Sequence, residues 1–219
     1  MVNSSVPSTP QPAPLLSVSV PLGLQLNNNS QGIAIQGTNN GLILNEDYTF
    51  VTNFANQGLT HQTPQGQTIA LIANGINLDG GNITAPGGAI DLWSVGEGVV
   101  RIGKNNNDFV LSDGGISSYG DLNALNSSSI NTSANTSGTI DIHADNITLN
   151  NGSIIFSNTR SGNGGAINVN ATGNLNLDGI VFDFPQSSPP NIMYSGIAAN
   201  VRPFGTSRGG AGYHQCSGN

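Results

Sequence analysis

Basic residues are scarce: five Lys and Arg stand against twelve Asp and Glu in 219 residues, a formal net charge of -7. So few cations exclude an electrostatic footprint for nucleic acid or anionic lipid. Cysteine is nearly absent, and the single Cys216 can form no internal disulfide, so stability has to come from packing and backbone pairing. Long apolar runs are missing too. A spanning helix needs about 18 unbroken apolar residues, and the most apolar early stretch, residues 15–26, is interrupted by Ser and Pro. Residues 1–14 contain no Lys or Arg and are rich in Ser and Pro, so they read as a tether rather than as a secretory signal.

Glycine and proline are plentiful, at 30 and 11 residues, and with abundant Asn they weaken or break helices throughout the chain. Hydrophobic residues make up 36%, which separates the sequence from ordinary disordered chains. The expectation is one all-β domain or one stretch of a solenoid.

A short unit, apolar-polar-apolar followed by Asn, Asp or Gly, recurs as a strand with one buried face does. Ile69/Leu71, Ile76/Leu78, Ile83/Ala85 and Ile90/Leu92 follow at steps of 7, so that 21 residues bring the pattern back to its start. The beat returns at Ile140/Ile142, Ile147/Leu149 and Ile154/Phe156, and again at Ile167/Val169, Leu175/Leu177 and Ile180/Phe182, after a loop inserted at residues 157–165. A slacker series, Leu24/Leu26, Ile33/Ile35 and Leu42/Leu44, steps by 9. A coiled coil would alternate apolar spacings of 3 and 4, whereas here the spacing is 2 then 5, with Gly and Asn in the gaps. Strands of about three residues separated by turns of about four fit the beat, since side chains alternate between faces along a strand. Each coil then buries its apolar row only against the coils above and below. The fold expected is a parallel β-helix with three short strands per coil.

Asn77, Asn82, Asn146, Asn150, Asn151, Asn174 and Asp178 stand in or beside the expected corners, where tight bends favour positive φ. The sequons Asn82-Ile83-Thr84 and Asn146-Ile147-Thr148 read as chance products of a chain rich in Asn and Thr. Residues 46–67 are irregular, with Phe50 and Phe54 placed to cap or pack outside the coil, and residues 121–137 read as a polar loop. Further repeats are expected over 138–201, with a frayed tail at 202–219.

Several stretches are similar to the haemagglutination-activity (two-partner secretion) domain of filamentous-haemagglutinin-like exoproteins of the cyanobacterial type. They are Leu15-Leu16-Ser17-Val18-Ser19-Val20-Pro21-Leu22-Gly23-Leu24-Gln25, Gly66-Gln67-Thr68-Ile69-Ala70-Leu71-Ile72, the long run from Asn77 to Leu92, and Ser94-Val95-Gly96-Glu97-Gly98. The resemblance spans residues 14–184, with residues 15–120 as the C-terminal part of the domain. It implies a right-handed β-helix, export through an outer-membrane barrel transporter, and adhesion at or beyond the cell surface to a carbohydrate or protein receptor. Family members also carry a signal peptide and an earlier half-domain with an Asn-Pro-Asn-Gly type motif. Neither occurs in this sequence, so the chain is expected to begin within the domain, and open coil ends are expected to favour self-association.

β-Helices also serve polysaccharide lyases and hydrolases, which need paired carboxylates or acids together with Arg or Lys. The best material is Asp141-Ile142-His143-Ala144-Asp145, where alternation places Asp141, His143 and Asp145 on one outward face. They read as a solvated face without converging partners, so no catalytic, cofactor-binding or metal residue is assigned. Residues 162–169 approach a calcium-binding nonapeptide but lack its Asp, and read as a loop entering a strand. Trp93 and Tyr119 would stack on sugars if exposed, and Trp93 is expected instead to brace a corner. A non-catalytic structural or adhesive module is the leading reading, with a β-helical carbohydrate-active enzyme and a non-functional adhesin-gene fragment as rivals.

Overall fold

A computed structural model describes residues 22–37, 42–44, 50–52, 60–105, 108–183 and 191–201. The tether at 1–14, Phe54, and the tail at 202–219 with Cys216 lie outside the described residues. Among those described there is no helix.

The regular coil starts where the 7-residue beat is cleanest. Strands β1 to β5 are Gly23–Leu26, Ile33–Gln36, Leu42–Leu44, Phe50–Thr52 and Thr60–Gln62, followed by β6 (Ile69–Ala73), β7 (Ile76–Asp79), β8 (Asn82–Thr84) and β9 (Ile90–Asn105). Strands β6, β7 and β8 enter three different sheets, and β9 returns to lie parallel to β6 with Ile69 opposite Ile90. The later strands are β10 (Asp108–Asp113), β11 (Ser118–Tyr119), β12 (Leu122–Leu125), β13 (Ser129–Asn131), β14 (Ile140–Ala144), β15 (Ile147–Asn150) and β16 (Ile154–Thr159). They are followed by β17 (Ile167–Ala171), β18 (Leu175–Asp178), β19 (Ile180–Asp183), β20 (Asn191–Tyr194) and β21 (Gly196–Val201).

The first sheet stacks β6, β9, β14 and β17 in parallel, the second runs β2-β7-β12-β15-β18, and the third runs β5-β8-β13-β16-β21. This open stack of parallel ladders is the expected β-helix. Ile76, Leu78, Ile90, Leu92, Ile140, Ile142, Ile147 and Leu149 are fully buried in one core, and Ile69, Leu71, Ile167 and Val169 pack against it half-buried at its two ends. Burying one such side chain contributes about 1.5–3 kcal/mol, so stacked rows hold the coils together without disulfides.

Several expectations need correction. Residues 121–137 are not a loop: Leu122 lies opposite Ile76 and Ile130 opposite Ile83, so β12 and β13 form two sides of a coil. The stretch looked polar because its buried hydroxyls and amides are satisfied within the stack, as when Ser129 Oγ donates to Asn82 Oδ1 at 2.6 Å. In the third sheet the core row is Ile83, Ile130 and Ile155, so β16 is displaced by one residue from the Ile154/Phe156 pair, which is buried outside that row. In the slack early series only β2 joins the coil, because β1 pairs antiparallel with β9, and β3 with β4. Ile180 and Phe182 belong to an antiparallel hairpin, β19 with β20, and β21 takes the place in the third sheet.

Corner chemistry is partly as expected: Asn151 adopts φ 51° and the neighbouring Gly152 φ 74°. Asn77 lies instead within β7, where Asn123 Nδ2 donates to its Oδ1 at 2.8 Å.

Strand β9 positions the site. Its first residues belong to the coil, and the rest leaves it as an arm that pairs antiparallel with β10, β1 and β11. Trp93, Val95, Val100 and Leu26 form a second small core under this arm.

Candidate functional site

Alternation along the first sheet points Ile90, Leu92, Ile140 and Ile142 inward and sends Asp91, Trp93, Asp141 and His143 outward. Parallel register then sets Asp91 opposite Asp141 and Trp93 opposite His143. The arm lies over this outward face, and β10 closes an open cleft of about 270 Å³ lined by Thr68, Ala89, Asp91, Trp93, Phe109, Val110, Leu111, Thr139 and Asp141.

His143 stacks on Trp93 with ring centroids 4.0 Å apart, and Tyr119 from β11 continues the row at 6.4 Å. The His143 Nε2 atom lies 3.3 Å from Asp141 Oδ1. That is a charge contact when the imidazole is protonated rather than an aligned hydrogen bond, because Asp141 Oδ1 is buried without a hydrogen-bond partner. Trp93 Nε1 is likewise buried without an acceptor. Burial first, and the Asp141 carboxylate second, push the Asp91 carboxyl up to about 6, while His143 opposes them. At the arm's turn the N–H groups of Gly115 and Ile116 donate to Asp113 Oδ1 at 2.7 and 2.8 Å and hold its carboxyl below the usual range. Burial, followed by the charge of Asp113, raises the Tyr119 hydroxyl.

Of the sequence candidates, Asp141 and His143 share this site, half-buried rather than on an open face. Asp145 does not join them. It sits at the next corner, where Thr172 Oγ1 donates to its Oδ1 at 2.7 Å. Trp93 braces no corner: it is 5% exposed, in mid-strand, and it anchors the arm, so the buried ring offers no open platform for a sugar. Residues 162–169 do run as a loop into β17, whereas residues 157–159, expected in the inserted loop, are the end of β16 and pair with β21.

Asp91 was missed by sequence reasoning. Its outward place beside Ile90 and Leu92 was legible, but its partner Asp141 lies fifty residues on. Among the described residues no three His, Cys, Asp or Glu side chains are grouped as metal ligands.

A stack of parallel ladders carrying an antiparallel arm on one face defines the class, a parallel β-solenoid module. The chain belongs to the TPS secretion domain family, whose model matches residues 3–142, more than half of its length. It is therefore a two-partner secretion exoprotein module, secreted with the help of a partner transporter. Neither a curated protein nor a solved structure gives a match.

Proposed function

We propose that the chain is a non-catalytic structural and adhesive module of a filamentous-haemagglutinin-like protein, a right-handed coil exported through an outer-membrane barrel and displayed at or beyond the cell surface. The observation that carries this reading is the outer face of the second sheet. There Asn77, Asn123, Thr148 and Asn176 stand in register on successive coils, a row of amides and a hydroxyl, with Asp79 and Asp178 two residues along on the same face. Such a row suits polar, uncharged receptors such as glycans, and its repeat follows from the stacking of coils about 4.8 Å apart. Self-association belongs to the same reading, because Leu175 and Leu177 on the terminal strand of that sheet remain 44% and 46% exposed.

The Asp91 and Asp141 pair favours the rival reading, a carbohydrate-active enzyme, since a carboxyl raised toward neutrality can serve as a general acid. One experiment separates the two. The chain is screened on glycan and extracellular-matrix arrays and in parallel for release of reducing ends from polysaccharides. Retention without cleavage, weakened by Asn123→Asp and Thr148→Asp, is the expected result. Cleavage that disappears in Asp91→Asn would replace adhesion with catalysis.

A further inference from the structure

We propose that the Asn163-Gly164 peptide, in the loop between β16 and β17, is a self-modification site, where succinimide formation converts Asn163 to aspartyl and isoaspartyl forms. The inference is independent of export and adhesion and uses a loop that neither reading engages.

Asn is among the thermally labile residues, and a following Gly makes its cyclisation easiest. No Cβ then shields the attacking backbone nitrogen, and glycine reaches the bent conformations that ring closure needs. The sequence holds four Asn-Gly pairs, at 40–41, 74–75, 151–152 and 163–164, of which the first lies outside the described residues.

What holds the glycine nitrogen separates the other three. The Gly75 N–H donates to Ser94 Oγ at 3.2 Å, and the Gly152 N–H to Ser195 Oγ at 3.1 Å, so both nitrogens are engaged. Asn151 is held as well, since its Nδ2 donates to Asn126 Oδ1 at 3.1 Å. The Gly164 N–H and the Asn163 carboxamide have no hydrogen-bond partner among the described residues, and both residues are exposed.

The loop is anchored on either side of this pair. Ser161 and Gly162 N–H groups donate to the Asn135 carbonyl at 3.0 and 2.9 Å, and the Gly165 N–H donates to Ser137 Oγ at 2.8 Å. One contact favours the chemistry directly: Thr159 Oγ1 donates to the Asn163 carbonyl oxygen at 3.2 Å. That oxygen belongs to the same amide as the Gly164 nitrogen. The donor therefore stabilises the negative charge the amide acquires on losing its proton.

The reaction balances with water as its co-reactant. A solvent base takes the Gly164 N–H proton, the nitrogen attacks Asn163 Cγ, and the Cγ–Nδ2 bond breaks with ammonia leaving. Water then opens the imide. Breaking the new bond to Cγ leaves an aspartyl residue, whereas breaking the original peptide bond leaves an isoaspartyl link whose main chain runs through Cβ and Cγ. Both add one negative charge. The isoaspartyl form also lengthens the main chain just ahead of Gly165, which packs too closely on the Gly138 carbonyl to carry a Cβ.

The test incubates the folded full chain in mildly alkaline buffer and follows each pair by peptide mapping and mass spectrometry, with an isoaspartyl methyltransferase assay for the isoaspartyl product. Asn163 is expected to convert at least about tenfold faster than Asn74 and Asn151, because each of those must first release a hydrogen-bonded nitrogen. In denaturant the three rates should converge. Gly164→Ala, whose Cβ would meet only a rotatable methyl of Val201, should keep the fold by circular dichroism and slow Asn163 about tenfold. Equal rates at Asn163 and at Asn74 or Asn151 in the folded chain, the same ranking in denaturant, or a folded Gly164→Ala chain that converts at the parent rate overturns the proposal. So does an Asn163 that stays intact while the denatured chain converts.

Discussion

Ile90 and Ile140 lie directly opposite one another in a parallel ladder, both fully buried, although fifty residues separate them in the chain. The described residues between them either complete the coil or leave it as the arm. Because both side chains sit in the central core, Ile140→Asp buries a charge with no partner and is expected to cost at least about 3 kcal/mol. Ile140→Val should cost about 1 kcal/mol. Equilibrium denaturation measures both, and equal losses would show that Ile140 is not enclosed.

Asp91 gives a pH dependence of unusual sign. Its folded carboxyl titrates near 6, above the ordinary value of 3.8, so between about pH 4 and 6 the folded chain binds more protons than the unfolded one. Its contribution to stability therefore falls as pH rises through that window, and the ionisation penalty is fully present above it. Asp91→Asn is expected to remove this fall and, with solvent screening allowed for, to stabilise the chain by about 1 kcal/mol at pH 7.5. Denaturation midpoints across pH 4 to 8 check it, and a variant whose pH profile matches the parent refutes the assignment.

Trp93 reports on the arm. Being 5% exposed and stacked on His143, it should show emission typical of an apolar site and little quenching by acrylamide. His143→Ala opens one face of the ring, and quenching is expected to rise while the coil persists. Trp93→Ala removes the centre of the small core and should cost about 3–5 kcal/mol. If His143→Ala leaves quenching unchanged, the stack does not shield the ring in solution.

Gly88, Gly138 and Gly165 form a column ahead of the first sheet, each two residues before Ile90, Ile140 and Ile167 respectively. A Cβ on Gly138 would run into the carbonyl oxygen of Gly88, and one on Gly165 into that of Gly138. Both obstacles are backbone, so neither can rotate away. Gly138→Ala is expected to destabilise the chain by more than about 2 kcal/mol, in contrast to Gly66→Ala, where a Cβ meets nothing and only the positive φ of 78° opposes the change. Thermal unfolding of the two variants side by side decides the matter.

The sequence by itself determined the all-β character and the inward rows, because a period-2 beat interrupted by Gly and Asn has few other physical solutions. Ile69/Leu71 through Ile90/Leu92 were legible since their coil has no insertion, and the family was legible in the run from Asn77 to Leu92. Tertiary structure decided the rest wherever long separations or buried polar groups intervened. Residues 121–137 became part of the coil because Ser129 and its neighbours find hydrogen bonds only in the stack. Leu24/Leu26 and Ile180/Phe182 carry the right alternation yet pair antiparallel, since alternation specifies which face is buried and not which strand lies alongside. The cleft belongs to the same category: Asp91, Trp93, Asp141 and His143 meet only because the arm leaves β9 and the chain returns one coil later in exact register. A local pattern carries no record of that return, because which residues meet is set by the path of the chain between them.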